Sequence, residues 1–208
     1  MSEIHWYIAD LETTGLKIGY AEICEYSIIR ATDRVQLSRQ IRVDNVKNAS
    51  YDALKITGKT IEDLYRGISK QQAIDDFHSF IEQDNLTPAY RCLVGHNIYA
   101  FDRKFLHHLW EQYGKEFPFD MYLDTVPLCK RLAAQMGQPK AKVNLDAAMD
   151  LFGLKKVAAK AHSAKGDSRN TYYLWKHLMD SGVEYIDLIK QHPHRNMTEI
   201  SNEDFEVE

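Results

Sequence analysis

The chain has 208 residues, with 26 Lys and Arg against 30 Asp and Glu, and therefore a formal net charge of −4. Hydrophobic residues make up 44% and charged residues 27%, which is typical of a globular protein and excludes disordered and fibrous classes. The length suits one domain with a sizeable core. The slightly acidic balance argues against a protein that coats nucleic acid, since such proteins are normally basic.

The sequence also bears on the cellular compartment. No apolar run approaches the ~18 residues that a membrane-spanning helix needs, and the acidic start Met1-Ser2-Glu3 differs from the basic start of a secretory signal. The three cysteines (Cys24, Cys92 and Cys129) are far apart and form no C-x-x-C pair, which argues against a disulfide framework and a zinc ribbon. We therefore expect an intracellular protein of the reducing cytoplasm, with no membrane partner.

Strands open the chain. The apolar run 5–9 predicts a short buried strand that ends at Asp10, and segments 21–30 and 35–43 predict two more strands joined by a hairpin at Asp33-Arg34. The later elements alternate: strands over 92–95 and 121–123, and helices over 69–82, 101–113, 144–151 and 167–179, with another helix starting at 124. This order predicts a single α/β domain.

The C-terminal end of the chain differs in composition from the rest. We predict a folded domain over residues 1–181 and a C-terminal extension over residues 182–208. The last ten residues contain five acids and no base, so we expect this tail to be disordered.

Three segments place acids at strand ends or helix starts. Asp10 and Glu12 follow the first strand, where residues i and i+2 point to the same side; two such carboxylates repel unless a divalent cation lies between them. Asp102 opens the helix that follows strand 92–95, and Asp167 opens the last helix, five residues after His162. Each acid alone has a structural alternative, as a solvated strand end or as an acid stabilised by a helix N-terminus.

Taken together, the four carboxylates predict a site for two divalent cations at one edge of the sheet. Two cations about 3.5–4 Å apart suit in-line displacement at phosphorus, and carboxylate ligands favour Mg²⁺ or Mn²⁺ over zinc. A histidine of near-neutral pKa is a natural base for the attacking water.

These segments resemble, in order and spacing, the motifs of the DEDDh 3′–5′ exonucleases, the family that includes proofreading subunits of bacterial replicative polymerases. DLETTG at 10–15 resembles the first motif, HNIYAFD at 96–102 the second, and HSAKGD at 162–167 the third in its histidine form. The similarity extends from about Ile4 to about Leu178. One departure is Ser168, where the family often has alanine.

The resemblance implies a ribonuclease H-like fold, a mixed central β-sheet flanked by α-helices. It implies a catalytic set in which four acids bind two Mg²⁺ ions, with Mn²⁺ able to substitute, and a histidine acts as general base: Asp10, Glu12, Asp102, Asp167 and His162. The product would be a nucleoside 5′-monophosphate. It also implies substrate contacts from Thr13, Thr14, Leu16, Asn97 and Phe101.

The sequence favours one function and leaves others open. We predict a 3′–5′ exonuclease acting on single-stranded or frayed DNA ends, alone or with a polymerase or another replication or repair protein. Residues 103–176 hold 13 Lys and Arg against 7 Asp and Glu, which suits phosphate binding around the second and third motifs. The first alternative is a 3′–5′ exoribonuclease or oligoribonuclease-like enzyme that trims RNA, since the groups that read a 2′-hydroxyl depend on local pocket shape.

Two further alternatives belong to other classes. One is a catalytically silent nucleic-acid-binding module, and the other is an interaction protein that uses the segment from Gly182 onward. The intact set of four acids argues against a silent module, because crowded like charges serve no purpose without a cation.

Overall fold

A computed structural model of the protein describes residues 4–157 and 162–191. Its strands form one sheet with the order β3-β2-β1-β4-β5-β6: β1 (His5–Thr13), β2 (Ile23–Arg30), β3 (Gln36–Gln40), β4 (Arg91–Gly95), β5 (Met121–Asp124) and β6 (Lys190–Gln191). The first three strands are antiparallel neighbours, whereas β4 and β5 run parallel to β1. The predicted mixed sheet is therefore confirmed.

In the part of the chain that the structure describes, seven α-helices surround the sheet: α1 (Tyr51–Thr57), α2 (Ile61–Leu64), α3 (Lys70–Ile81), α4 (Asp102–Gln112), α5 (Thr125–Gln135), α6 (Leu145–Leu151) and α7 (Ala164–Asp180). Local capping sets several of their ends. Thr60 and Asp63 form a reciprocal capping box at α2, and the Asn144 side chain accepts a hydrogen bond from the Ala147 backbone at α6. Within the described ranges, no helix has both the length and the apolar character to cross a membrane.

The apolar core lies on both faces of the sheet. On one face α3 and α4 bury aromatic side chains, with the rings of Phe77 and Trp110 4.9 Å apart in an edge-to-face contact. On the other face α5, α6 and α7 cover a second cluster. Successive side chains of β1 point to opposite faces of the sheet: Tyr7 packs in the first cluster and Ile8 in the second. A central strand buried on both sides therefore reads as a continuous apolar run.

The prediction that the first strand ends at Asp10 is wrong. β1 continues to Thr13, because β2 pairs antiparallel with its second half and places Glu25 opposite Glu12. The register shifts between Glu12 and Thr13, where the paired strands end. Asp10 and Glu12 are thus held in a hydrogen-bonded strand, not on a free strand end.

The described part of the predicted C-terminal extension packs onto the domain. Val183 is buried, Asp187 forms an ion pair with Arg131 of α5 at 2.7 Å, and β6 pairs antiparallel with β5. The domain boundary between residues 181 and 182 stays a prediction. The acidic tail of residues 199–208 lies outside the described residues.

A buried ion pair secures the chain at the start of β4. Both side chains of the pair between Arg91 and Asp84 are buried, and the Tyr7 hydroxyl donates to the same carboxylate at 2.7 Å. We expect Arg91→Met to lower the free energy of unfolding by about 3–5 kcal/mol, because it leaves a buried carboxylate without its counterion. Urea unfolding followed by tryptophan fluorescence measures this loss.

The matched control for this variant is Arg131→Met. Its pair with Asp187 is largely exposed, so the loss should be less than about 1 kcal/mol. Equal and small losses in the two variants would contradict a stabilising role for the buried pair.

Candidate active site

Three carboxylates meet where β1 faces α7. One oxygen each from Asp10, Glu12 and Asp167 lies within 4.8 Å of the other two. Asp10 and Glu12 share the face of β1 that carries Ile8, and α7 packs across this part of the sheet. The fold thus brings together two of the three acid-bearing segments, which are more than 150 positions apart in the sequence.

Asp102 adjoins this group without being one of the three. It is the first residue of α4 and is buried, and its carboxylate accepts a hydrogen bond from the backbone N–H of Leu11 at 3.1 Å. Leu11 stands between Asp10 and Glu12 in the chain, so this bond fixes Asp102 against the same stretch of β1. All four predicted acids therefore converge on one region.

The loop before α4 is held by Asp124, at the end of β5. The Asp124 carboxylate accepts hydrogen bonds from the backbone of Asn97 at 2.9 Å, of Tyr99 at 3.3 Å and of Val126 at 2.9 Å. Gly95 ends β4 at a point where a Cβ atom would lie 2.8 Å from the side chain of Ile98. These contacts set the path of the chain into Asp102.

The third motif is ordered by the start of α7. The Ser163 hydroxyl caps the helix by accepting from the Gly166 backbone at 3.2 Å. The buried Asn170 donates to the Asp167 carboxylate, and its own carbonyl oxygen accepts from the Val157 backbone at 2.9 Å. His162 is exposed, with a φ of +54°. Burial raises the pKa of Asp167, and the charge of the nearby His162 acts in the opposite direction.

The electrostatics of the site reflect crowded carboxylates. Burial, helped by the charges of Asp167 and Glu25, raises the pKa of Glu12 to about 8. Burial also raises the pKa of Asp102 to about 7, although backbone N–H groups that hydrogen-bond to it act in the opposite direction. Burial and the charges of Asp102 and Glu12 hold the pKa of Asp10 well above its usual range. The donor set consists of carboxylates, which fits Mg²⁺ or Mn²⁺.

The five predicted substrate contacts divide into two groups. The hydroxyl groups of Thr13 and Thr14 are used in the turn after β1: Thr13 donates to the Gly15 carbonyl at 2.7 Å, and Thr14 accepts from the Glu22 backbone at 2.9 Å. The other three have accessible surface: Leu16, which is 84% exposed, Asn97, which is exposed, and Phe101, which is partly buried against the Phe105 ring.

Sequence reasoning missed several polar residues beside the acids. Asn170 could have been found, because it lies three positions after Asp167 and so on the same side of the helix. Glu25 and Lys59 could not, since their 2.6 Å ion pair depends on the pairing register of β2 and on the turn between α1 and α2.

Residues 7–175 match the sequence model of the RNase_T family, which is described as an exonuclease. The chain belongs to this exonuclease family. All three motifs lie within the matched residues, so the resemblance to the DEDDh exonucleases is confirmed at the level of the family.

Two curated relatives of this family member are both named DNA polymerase III PolC-type. The protein from Mycoplasma genitalium is 27% identical over 132 residues, which are 62% of this chain and 8% of that protein. The protein from Pediococcus pentosaceus is 26% identical over 198 residues, which are 92% of this chain and 13% of that protein. The chain thus spans only a small part of the length of these relatives.

Solved structures of nucleases share the fold. Cell-death related nuclease 4 (CRN-4) has a TM-score of 0.72 at 12% identity, covering 88% of this chain and 66% of that one. The nuclease domain of 3′hExo, a DEDDh family member bound to rAMP, has a TM-score of 0.69 at 16% identity, covering 88% and 95%. Exonuclease I of E. coli in complex with a dT13 oligonucleotide has a TM-score of 0.70 at 16% identity, covering 85% and 41%. The ribonuclease H-like fold is therefore confirmed.

The raised pKa values predict how stability depends on pH. For Glu12 and Asp102 the pKa is higher in the folded than in the unfolded protein, so their protonated forms stabilise the fold and this contribution is lost as pH rises through about 7 to 8. We expect the melting temperature in EDTA to fall between about pH 5.5 and about pH 8.5. Calorimetry with and without Mg²⁺ measures this, and Mg²⁺ should raise the melting temperature more at the higher pH.

Glu12→Gln is the control for this dependence, since an amide at this position does not titrate. It should flatten the fall in melting temperature and reduce the effect of Mg²⁺. A melting temperature that responds neither to pH nor to Mg²⁺ in the unchanged protein would contradict the prediction.

Proposed function

We propose that the protein is a metal-dependent exonuclease that hydrolyses the 3′-terminal phosphodiester of single-stranded or frayed DNA and releases nucleoside 5′-monophosphates. The observation that carries this proposal is the meeting of the Asp10, Glu12 and Asp167 carboxylates within 4.8 Å, with Asp102 anchored to the backbone between the first two. A member of this exonuclease family needs such an acidic site to handle a phosphodiester.

Four carboxylates would hold the two divalent cations: Asp10, Glu12, Asp102 and Asp167. Mg²⁺ fits this set best, with Mn²⁺ able to substitute. Burial raises the pKa of all four acids, and neighbouring carboxylates add to this effect. This supports the fit, since two cations would balance the charge of the buried carboxylates. When bound, the cations supply stabilisation of the charge that develops on the attacking and leaving oxygens.

His162 is the proposed general base. It is exposed beside Asp167, so its imidazole can reach a water molecule at the open side of the acids. Taking a proton from the attacking water makes the imidazole cationic, and the neighbouring Asp167 carboxylate stabilises that charge. Ser163, the next residue, is the N-cap of α7. The backbone position of His162 is therefore fixed by the start of the helix.

The surface beside the acids suits the end of one strand. Leu16 and Phe101 offer apolar surface for a base, and Asn97 offers hydrogen-bonding groups beside the second motif. The exposed cations Lys165 and Arg169 lie within one turn of Asp167 on α7, where they can attract phosphates. A strand end engages few phosphates, which is compatible with a net charge of −4.

DNA is the favoured substrate, and RNA is the second candidate. The PolC-type relatives are DNA polymerases by name, and one structural neighbour holds dT13, which supports DNA and a polymerase or another replication or repair protein as partner. Another neighbour holds rAMP, which favours an exoribonuclease. Free, buried cysteines support the proposed location in the reducing cytoplasm.

A digestion experiment tests activity, polarity and sugar preference together. Single- and double-stranded DNA and RNA, labelled at either end, are incubated with Mg²⁺ and the products are resolved by size. We expect nucleoside 5′-monophosphates from the 3′ end, fastest from single-stranded DNA, and no activity in EDTA. Asp167→Asn should abolish release while the fold persists, because a metal ligand is lost. Release from the 5′ end, or full activity of Asp167→Asn, would refute the proposal.

His162→Ala tests the general base. Turnover should fall by roughly 10²–10⁴-fold, while Mn²⁺ binding measured by calorimetry stays near that of the unchanged protein, because the four carboxylates remain. His177→Ala, at the far end of α7, is the matched control and should retain full turnover. Near-normal turnover of His162→Ala would remove this residue as the base.

A further inference from the structure

A fifth carboxylate lies beside the four predicted ligands. In the pairing of β1 with β2, Glu25 stands directly opposite Glu12, and directly opposed residues of an antiparallel pair point to the same face with Cβ atoms about 4.5–5.5 Å apart. The charge of Glu25 acts on Asp10, Glu12 and Asp167. Two like charges in this arrangement destabilise a strand pair unless a cation intervenes.

The ammonium group of Lys59 provides that positive charge. Its Nζ atom lies 2.6 Å from Oε2 of Glu25, and the two side chains are only 12% and 13% exposed. The charge of Lys59 also acts on Glu12, where it lowers the pKa against the other effects. The pair is therefore in electrostatic contact with the acidic site and is largely shielded from solvent.

The backbone around Lys59 fixes this position. Gly58 ends α1 in the left-handed region with a φ of +62°, and Thr60 begins the capping box of α2. Lys59 is the one residue between these two caps. The backbone on both sides of Lys59 is therefore held by a helix end. The side chain therefore reaches Glu25 from a rigid turn, which makes its charge a fixed part of the site.

We propose that the Glu25–Lys59 ion pair sets the charge balance of the cation site. Lys59 neutralises Glu25, so that Glu12 faces an ion pair instead of a second carboxylate. This inference rests on the proposed function, because it takes these acids to be the cation ligands. The groups that face the pair are Glu12, Asp10, Asp167 and the buried Cys24 thiol.

This role predicts changes of opposite sign in the two single variants. Glu25→Gln leaves the charge of Lys59 unopposed beside the ligands, which repels cations. Lys59→Met leaves the charge of Glu25 unopposed, which attracts them. At these distances, one added or removed charge should change the dissociation constant of Mn²⁺ by roughly tenfold. The double variant removes both charges and should return close to the affinity of the unchanged protein.

The measurement is direct Mn²⁺ binding to the full chain, by isothermal titration calorimetry and by electron paramagnetic resonance of free Mn²⁺. Expected results are weaker binding for Glu25→Gln, tighter binding for Lys59→Met, and near-normal binding for the double variant and for Lys59→Arg. A merely structural role predicts instead that every variant, the double variant included, binds more weakly and melts at a lower temperature. That pattern, or no change in any variant, would overturn the inference.

A second ion pair offers a matched control. Lys70 and Glu22 form an ion pair at 2.7 Å, with side chains that are 12% and 10% exposed. Glu22 directly precedes β2. Neither residue is among the charges that act most strongly on the site acids. Lys70→Met and Glu22→Gln should leave the Mn²⁺ affinity unchanged. If the unchanged protein binds no Mn²⁺ and degrades no nucleic acid, the proposed function fails as well. If it binds Mn²⁺ and degrades nucleic acid, but the two single variants do not change the Mn²⁺ affinity in opposite directions, this inference alone fails.

Discussion

Repulsion between carboxylates on one face of the central strand is the constraint on which the site depends. Asp10 and Glu12 share that face, and Asp167 meets them from α7. Asp102, at the start of α4, is held beside them by the hydrogen bond from the Leu11 backbone. Burial, together with this crowding, raises the pKa of the acids and costs stability whenever they are charged. Bound cations would offset this repulsion, so the crowding of these acids supports the proposed cation site.

The rest of the fold holds these acids in place against their mutual repulsion. β1 is hydrogen-bonded on both sides, to β2 and to β4, and apolar layers cover both faces of the sheet. Asp124 holds the loop that leads to Asp102, and Asn170 ties Asp167 to residue 157. These residues act on the chemistry indirectly, because each one orients an acid or the backbone beside it.

Much of the fold and most of the acidic site could be predicted. Helix α3 lies within one residue of its predicted bounds at each end, since its apolar spacing and its Ser69 cap are local signals. The strand through Asp10 was predicted too short, because Leu11, Glu12 and Thr13 do not continue the apolar run and owe their strand conformation to pairing with β2. Glu25 and Lys59 were missed for the same reason, as their closeness to Glu12 comes from register and from a turn between two helices.

The sequence by itself determined the fold class, the family and the identity of the acids, because motif spacing and hydrophobic periodicity are written locally in the chain. Only the tertiary structure decided how those acids are arranged: three carboxylates in mutual reach, Asp102 anchored beside them, and a neutralised fifth carboxylate opposite Glu12. The physical reason is that charge interactions depend on distances of a few ångströms between segments far apart in the chain. Strand register and helix packing set those distances, and no single segment encodes them.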